Sequence, residues 1–314
     1  LSMTLWWTIF GVFILAMLAL DLGVFNRKAH VIKMKEALLW VSFWVSLAVA
    51  FGVGVYYFYG HSKALEFFTA YIIEYSLSID NLFVFLLIFR FFNVPQAYEH
   101  KALFWGILLA LITRAAFIFA GVALINKFHW IMYLFGAFLI YTGIKLAMNK
   151  QTEVHPDKNI AIKMLRYVVP VTKEFHEARF FIIKNGKRFA TPMLAVLLAL
   201  ETTDILFAVD SIPAVLAISR DPFIVYTSNV FAILGLRSLF FAISGLMKLF
   251  HLLHYGLSAI LSFVGVKMLI ADFYHIPVGI SLTVISSILV ISIVASIIWP
   301  DTKYEDIPNI TMKD

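Results

Sequence analysis

Apolar residues in this chain gather in blocks of about 20, long enough to cross the hydrocarbon core of a bilayer as helices. The blocks cover 4–25, 38–59, 67–91, 102–125, 129–148, 191–218, 224–247, 252–271 and 276–299. The prolines support the division. Pro95, Pro156, Pro170, Pro192, Pro222, Pro277, Pro300 and Pro308 fall between blocks or at their ends, and only Pro213 lies deep inside one. The first block has neither a charged leading segment nor a small-residue cleavage site, so it reads as a retained helix and not a signal peptide. The pattern predicts an all-α, polytopic membrane protein with about nine transmembrane helices in a single transmembrane domain, 1–314.

Composition sharpens this. Of the 314 residues, 62% are apolar and 14% charged, against about 45–50% and about 25% in soluble domains. So few charges cannot cover a soluble globule of this size, which excludes the soluble-enzyme classes; no enzymatic activity is expected. The absence of cysteine excludes disulfides, thiolate metal sites and thiol redox chemistry. The net charge of +6 belongs to membrane-flanking loops, so the expected partner is the lipid bilayer and not nucleic acid. The sequence names no protein partner.

Lysine and arginine set the orientation. One set of loops holds Arg27, Lys28, Lys33, Lys35, Arg90, Lys101, Lys248 and nine more from Lys150 to Arg188; the alternate set holds only Lys63, Lys127 and Arg220. The N-terminus is therefore expected outside and the C-terminus in the cytoplasm. Residues 149–190 form a basic cytoplasmic loop, expected to touch anionic headgroups. Within it, Asn185-Gly186 between two apolar runs predicts a hairpin.

The chain also repeats itself. Glu74-Tyr75-Ser76-Leu77-Ser78-Ile79-Asp80-Asn81 lies over Asp204-Ile205-Leu206-Phe207-Ala208-Val209-Asp210-Ser211, and Arg114-Ala115-Ala116-Phe117 over Arg237-Ser238-Leu239-Phe240. Phe128-His129 lies over Phe250-His251, and Gly143-Ile144-Lys145-Leu146 over Gly265-Val266-Lys267-Met268, both at an offset of 122. Each unit, 67–148 and 191–271, holds three spans, so the second enters the membrane from the opposite side. Two inverted three-helix repeats with flanking helices are the architecture of secondary transporters, whose substrate site lies near the midplane between the copies.

The charges inside the spans carry the chemistry. The acids are Asp21, Glu74, Asp80, Glu201, Asp204 and Asp210; the bases are Arg114, Lys145, Arg237 and Lys267. Five deep acids would cost on the order of 12–17 kcal/mol if ionised and unpaired. Lys145 and Lys267, near helix ends, are expected to snorkel. Arg114 and Arg237 are expected to be fixed charge partners of acids, which leaves three deep acids over. That surplus suits a cation. On a helix, Glu74, Ser78 and Asn81 share a face, as do Glu201, Asp204, Ala208 and Ser211, with Asp80 and Asp210 offset. A site therefore needs groups from both copies or a helix break, and Pro213, which leaves the Val209 carbonyl without a donor, is the candidate break. The donors are all oxygen: carboxylates, the Asn81 amide and the hydroxyls of Ser78, Thr203 and Ser211. That set prefers a hard cation such as Mn²⁺, Mg²⁺ or Ca²⁺ over zinc or copper.

At the two acidic motifs, Glu74 to Asn81 and Glu201 to Ala214, the chain resembles the TerC family of bacterial inner-membrane proteins, nearest its Alx branch. The stretches Asp221 to Val225, Phe231 to Arg237 and Asp272 to Pro277 support the resemblance. It implies a cation exporter built of two three-helix repeats, in a family named for tellurium resistance and linked to manganese. It also implies Asp80 and Asp210, with Glu74, Asn81, Asp204 and Ser211, as ion-binding positions; Glu201 joins them from its helix face. The expectation is Mn²⁺ efflux across the inner membrane by alternating access, with protons as counter-ion and no permanently bound cofactor. Three alternatives stay open. One is a non-transporting scaffold whose charges are structural pairs. Another is an intramembrane aspartyl protease, although the Gly-x-Gly-Asp context is absent at Asp80 and Asp210. The last is oxyanion transport, disfavoured by acids outnumbering arginines.

Overall fold

In a computed structural model, the chain is described over residues 3–20, 34–128, 130–148, 169–172, 174–176, 178–184, 187–244 and 252–299. The helices are α1 (Met3–Leu20), α2 (Met34–Tyr59), α3 (His61–Phe91), α4 (Gln96–Lys127), α5 (Ile131–Met148), α6 (Pro192–Leu216), α7 (Pro222–Leu234), α8 (Leu236–Ser244), α9 (Leu253–Leu269) and α10 (Val278–Ile298). Among the described residues, seven apolar runs are long enough to cross a membrane, α7 and the start of α8 counting as one run, Pro222–Ala242. Shorter apolar helices lie at Thr4–Met17 and Leu253–Leu269. Over its described residues each expected block is thus mainly helical, and the chain is an all-α polytopic membrane protein.

Local chemistry sets the helix ends. Pro222 opens α7 at a position whose N–H would have no helical partner, and the Asp221 carboxylate accepts from the Phe223 N–H at 3.0 Å. At the far end of α3, Asn93 takes φ 50°. That lets the Asn93 and Val94 N–H groups reach the Arg90 and Phe89 carbonyls at 3.0 and 2.9 Å, which closes the helix and turns the chain into α4.

Three boundaries differ from the sequence reading. Helix α3 begins at His61, six residues before its apolar block, and so takes Lys63 and Glu66 into the helix. The block 224–247 is interrupted at Gly235, between α7 and α8. Helix α6, by contrast, runs through Pro213 to Leu216; in a packed membrane bundle neighbouring helices tolerate the proline, so Pro213 is not a break.

The core is made by crosswise pairing. Helix α3 packs along α7, α4 along α6, and α5 most extensively along α9. The α5–α9 contact is antiparallel and very close. A Cβ on Gly136 would stand 2.9 Å from the Gly265 carbonyl oxygen, and one on Gly143 would stand 2.8 Å from that of Ser258. The Ser258 hydroxyl donates to the Gly143 carbonyl at 2.5 Å. Helices α1 and α2 close over α7 through aromatic rings, with Trp7 on Phe223 at 5.2 Å and Phe51 on Phe231 at 4.8 Å. Helix α10 covers α3 and α9.

This packing gives a direct test. Gly143→Val should cost about 1–3 kcal/mol, because the added atoms meet backbone that cannot step aside. Gly54→Ala, whose Cβ would meet nothing within 4 Å, should leave stability near the original. Melting temperatures of the detergent-solubilised variants check both.

The structure also corrects one lysine. Lys267 does not snorkel: it is 7% exposed and donates to the Ser281 hydroxyl of α10 at 2.9 Å, a partner close enough to hold the ammonium inside the bundle. Lys145 is exposed on α5. In the 149–190 loop, strands β1 (Phe181–Lys184) and β2 (Lys187–Ala190) pair antiparallel with Lys184 opposite Lys187, as the hairpin reading expects; Asn185 and Gly186 themselves lie outside the described residues. Residues 149–168 and Asp21 lie outside the described residues.

Candidate ion site at the centre of the bundle

The long helices carry their acids to mid-depth. Glu74 lies thirteen residues into α3 and Asp204 twelve into α6, roughly 20 and 18 Å along their axes. Because α3 and α6 each pack against the core, the faces that bear these residues turn inward, and both side chains are buried.

Arg114 of α4 stands between them, with no exposed surface. Its Nη2 and Nε donate to the two Asp204 carboxylate oxygens at 3.0 and 3.3 Å, a two-pronged pair that fixes the guanidinium plane. Its Nη1 donates to the Ser211 hydroxyl at 3.3 Å, and the same end of the guanidinium pairs with Glu74. One arginine thus joins an acid from α3 to an acid from α6. With both acids ionised the group carries a net charge of −1.

Glu201 lies one turn before Asp204 on the same face and is also buried. A Cβ added to Gly106 of α4 would stand 3.6 Å from its Oε1, in ordinary van der Waals contact, so α4 passes close beside the carboxylate. Glu201 and Asp204 border a cavity of about 20 Å³ between α3, α4, α6 and α7, room for about one water. Asp210 turns elsewhere. It is half-buried and accepts from the Thr142 hydroxyl of α5 at 3.3 Å. Among the described residues, neither Glu201 nor Asp210 has an ion-pair partner within 4 Å.

Of the other expected positions, Asn81 and Ser78 are buried on α3, and Arg237 is buried at the start of α8. The side chain of Asp80 lies outside the described residues. The structure therefore brings together Glu74, Asp204, Ser211 and Arg114, sets Glu201 beside them, and directs Asp210 toward α5. Among the described residues, no three acidic or histidine side chains meet within metal-ligating reach. In this conformation the guanidinium stands where the carboxylates converge.

Two groups escaped the sequence reading. Thr142 is the partner of Asp210 across helices, and no local periodicity could reveal that contact. At the shared end of α3 and α7, the Lys63 ammonium meets Glu66 at 2.9 Å and Asp221 at 3.5 Å, and the Ser219 hydroxyl donates to Glu66 at 2.5 Å. The three-residue spacing of Lys63 and Glu66 was a legible helix-pair signal, hidden by counting only the apolar block as helix.

Known proteins bear on the assignment. The Integral membrane protein TerC family matches residues 59–303. A Myxococcus xanthus protein named "Uncharacterized membrane protein STKORF319" is 53% identical over 292 residues, 93% of this chain and 92% of the relative. Proteins named "Putative membrane-bound redox modulator Alx" are 44% identical over 297 residues in Salmonella typhi, covering 92% of each chain. The one from Escherichia coli K12 is 42% identical over 308 residues, covering 95% of this chain and 96% of that one. No solved structure matches. With this match across most of its length, and with its apolar helices, the chain belongs to the TerC family of integral membrane proteins.

Proposed function

We propose that this protein exports a hard divalent cation, Mn²⁺ foremost, from the cytoplasm by alternating access between two inverted repeats. The observation that carries the reading is the buried acid surplus. Arg114 holds Glu74 and Asp204, while Glu201 and Asp210 make no ion pair among the described residues. Buried carboxylates without a permanent base are costly in a membrane unless protons or a mobile cation neutralise them, and exchange of the two on the same groups is what an exporter needs. The donor set is oxygen, which suits Mn²⁺, Mg²⁺ and Ca²⁺; manganese is favoured by the family resemblance.

The crosswise packing supports the repeat reading. At the sequence offset of 122, Gly136 corresponds to Ser258 and Gly143 to Gly265. The contact of Gly136 with Gly265 then exchanges with that of Gly143 with Ser258, as a two-fold axis between α5 and α9 requires. Rocking one unit against the other closes Glu201, Asp210 and Asp80 around the ion in one state and separates them in the next. Arg114 fills the place of the ion between Glu74 and Asp204 when the site is empty. Carboxylates that release metal can take up protons, so protons serve as the counter-ion. We place the protein in the bacterial inner membrane, N-terminus outside and C-terminus cytoplasmic, with residues 149–190 against the inner leaflet.

The name of the Alx relatives suggests a redox effect. With no cysteine, this chain offers no thiol couple, so any such effect would follow from the metal it moves. The scaffold reading has one observation in its favour: the Arg114 bridge would also be good structural glue.

Cells challenged with manganese decide between them. Expression of the protein should lower cell manganese, and Asp80→Asn and Asp210→Asn should remove that effect while the protein still reaches the membrane. Variants that export as well as the original would refute the site.

A further inference from the structure

A buried amide on α7 lies outside every role given so far. Asn229 is 1% exposed, and among the described residues neither its amide oxygen nor its amide nitrogen has a hydrogen-bond partner. Leaving both ends of a buried amide unbonded is unfavourable, and native proteins rarely retain it without a use. Its neighbour on the same helix shows where it points. Ile233, four residues on along α7, shares its face and borders the cavity beside Glu201 and Asp204. Asn229 therefore looks into the same seam, one turn nearer the start of α7.

Depth places it relative to Arg114. Helices α6 and α7 run in opposite directions from one turn, Ala217 to Asp221. Eight residues past Asp221, Asn229 lies about 12 Å below that turn; Ser211, six residues before Ala217, lies about 9 Å below it. Asn229 is thus close to level with the hydroxyl that accepts from Arg114, whereas Glu201 lies deeper, beyond Asp204.

We propose that Asn229 is a neutral oxygen ligand for the transported divalent cation, at the Ser211 end of the Arg114 bridge, away from Glu201. Carboxylates at one end capture the ion; a lone amide oxygen at the other holds it weakly and lets it leave. The proposal rests on the cation-transport reading above and adds to it a place on the release side. Its polarity is kept for the ion at the expense of the ion-free protein, so binding and stability should respond to substitution with opposite signs.

Asn229→Leu tests this, because leucine has nearly the same size and no polar atom. Purified wild-type protein and the variant would be titrated with MnCl₂, and melting temperature and manganese affinity read for each. The metal-free variant should melt at or above the wild-type temperature, while its affinity falls about tenfold or more. Asn229→Asp should bind manganese at least as tightly as wild type but release it more slowly into the far compartment of proteoliposomes. Unchanged affinity in Asn229→Leu, with a normal response in wild type, overturns the assignment of Asn229 alone. A lower metal-free melting temperature in Asn229→Leu makes the amide structural and overturns it too. Wild type with no response to manganese and no flux overturns the transport reading, and this proposal with it.

Discussion

Arg114→Met should destabilise the folded protein by about 3–5 kcal/mol, because it strips a buried acid pair of its only described base. Removing one partner of a buried ion pair costs far more than removing the whole pair. The triple variant Arg114→Met, Glu74→Gln, Asp204→Asn should therefore recover most of the loss. Melting curves of detergent-solubilised protein, followed by the fraction that stays monodisperse, measure both. A single variant as stable as the original would mean that Arg114 does not carry the charge of Glu74 and Asp204. The triple variant should still fail to transport, since it lacks two of the buried carboxylates, and that separates folding from function.

Glu201→Gln should have the opposite profile. Glu201 is buried but unpaired among the described residues, so an isosteric amide removes a charge that nothing in the fold requires. Stability should hold or rise slightly. Manganese affinity should fall by about 10- to 100-fold, the loss of one charge-assisted contact worth roughly 1.5–3 kcal/mol. Isothermal titration of purified protein reads this directly. A fall in stability with affinity intact would make Glu201 a structural residue, and the acid surplus would lose its meaning.

Much of this molecule was legible before any coordinates. The apolar blocks became helices because in a bilayer the backbone can satisfy its hydrogen bonds only within such segments. The hairpin expected around Asn185-Gly186 appears as β1 paired antiparallel with β2, because a two-residue connection fixes that register. The shared face of Glu201, Asp204, Ala208 and Ser211 is buried as helix spacing implies. What failed was whatever depended on neighbours across the bundle. Lys267 looked free to snorkel, and only the approach of α10 supplies the Ser281 hydroxyl that keeps it inside. Pro213 looked like a break, yet the chain is interrupted at Gly235 instead. A single arginine serving acids from two helices could not be read from spacing, because Arg114 and Asp204 are 90 positions apart and meet only through the packing of α4 on α6.

Flux through purified protein tests the central claim most directly. Proteoliposomes with a pH gradient would be offered Mn²⁺, Mg²⁺, Ca²⁺ and Zn²⁺ in turn, with wild-type protein and Asp210→Asn side by side. The account requires saturable Mn²⁺ flux in wild type, little with Zn²⁺, dependence on the proton gradient, and loss in Asp210→Asn. Absence of flux for every cation, from protein shown to be folded by its melting curve, would contradict it and leave the buried acids as structural glue.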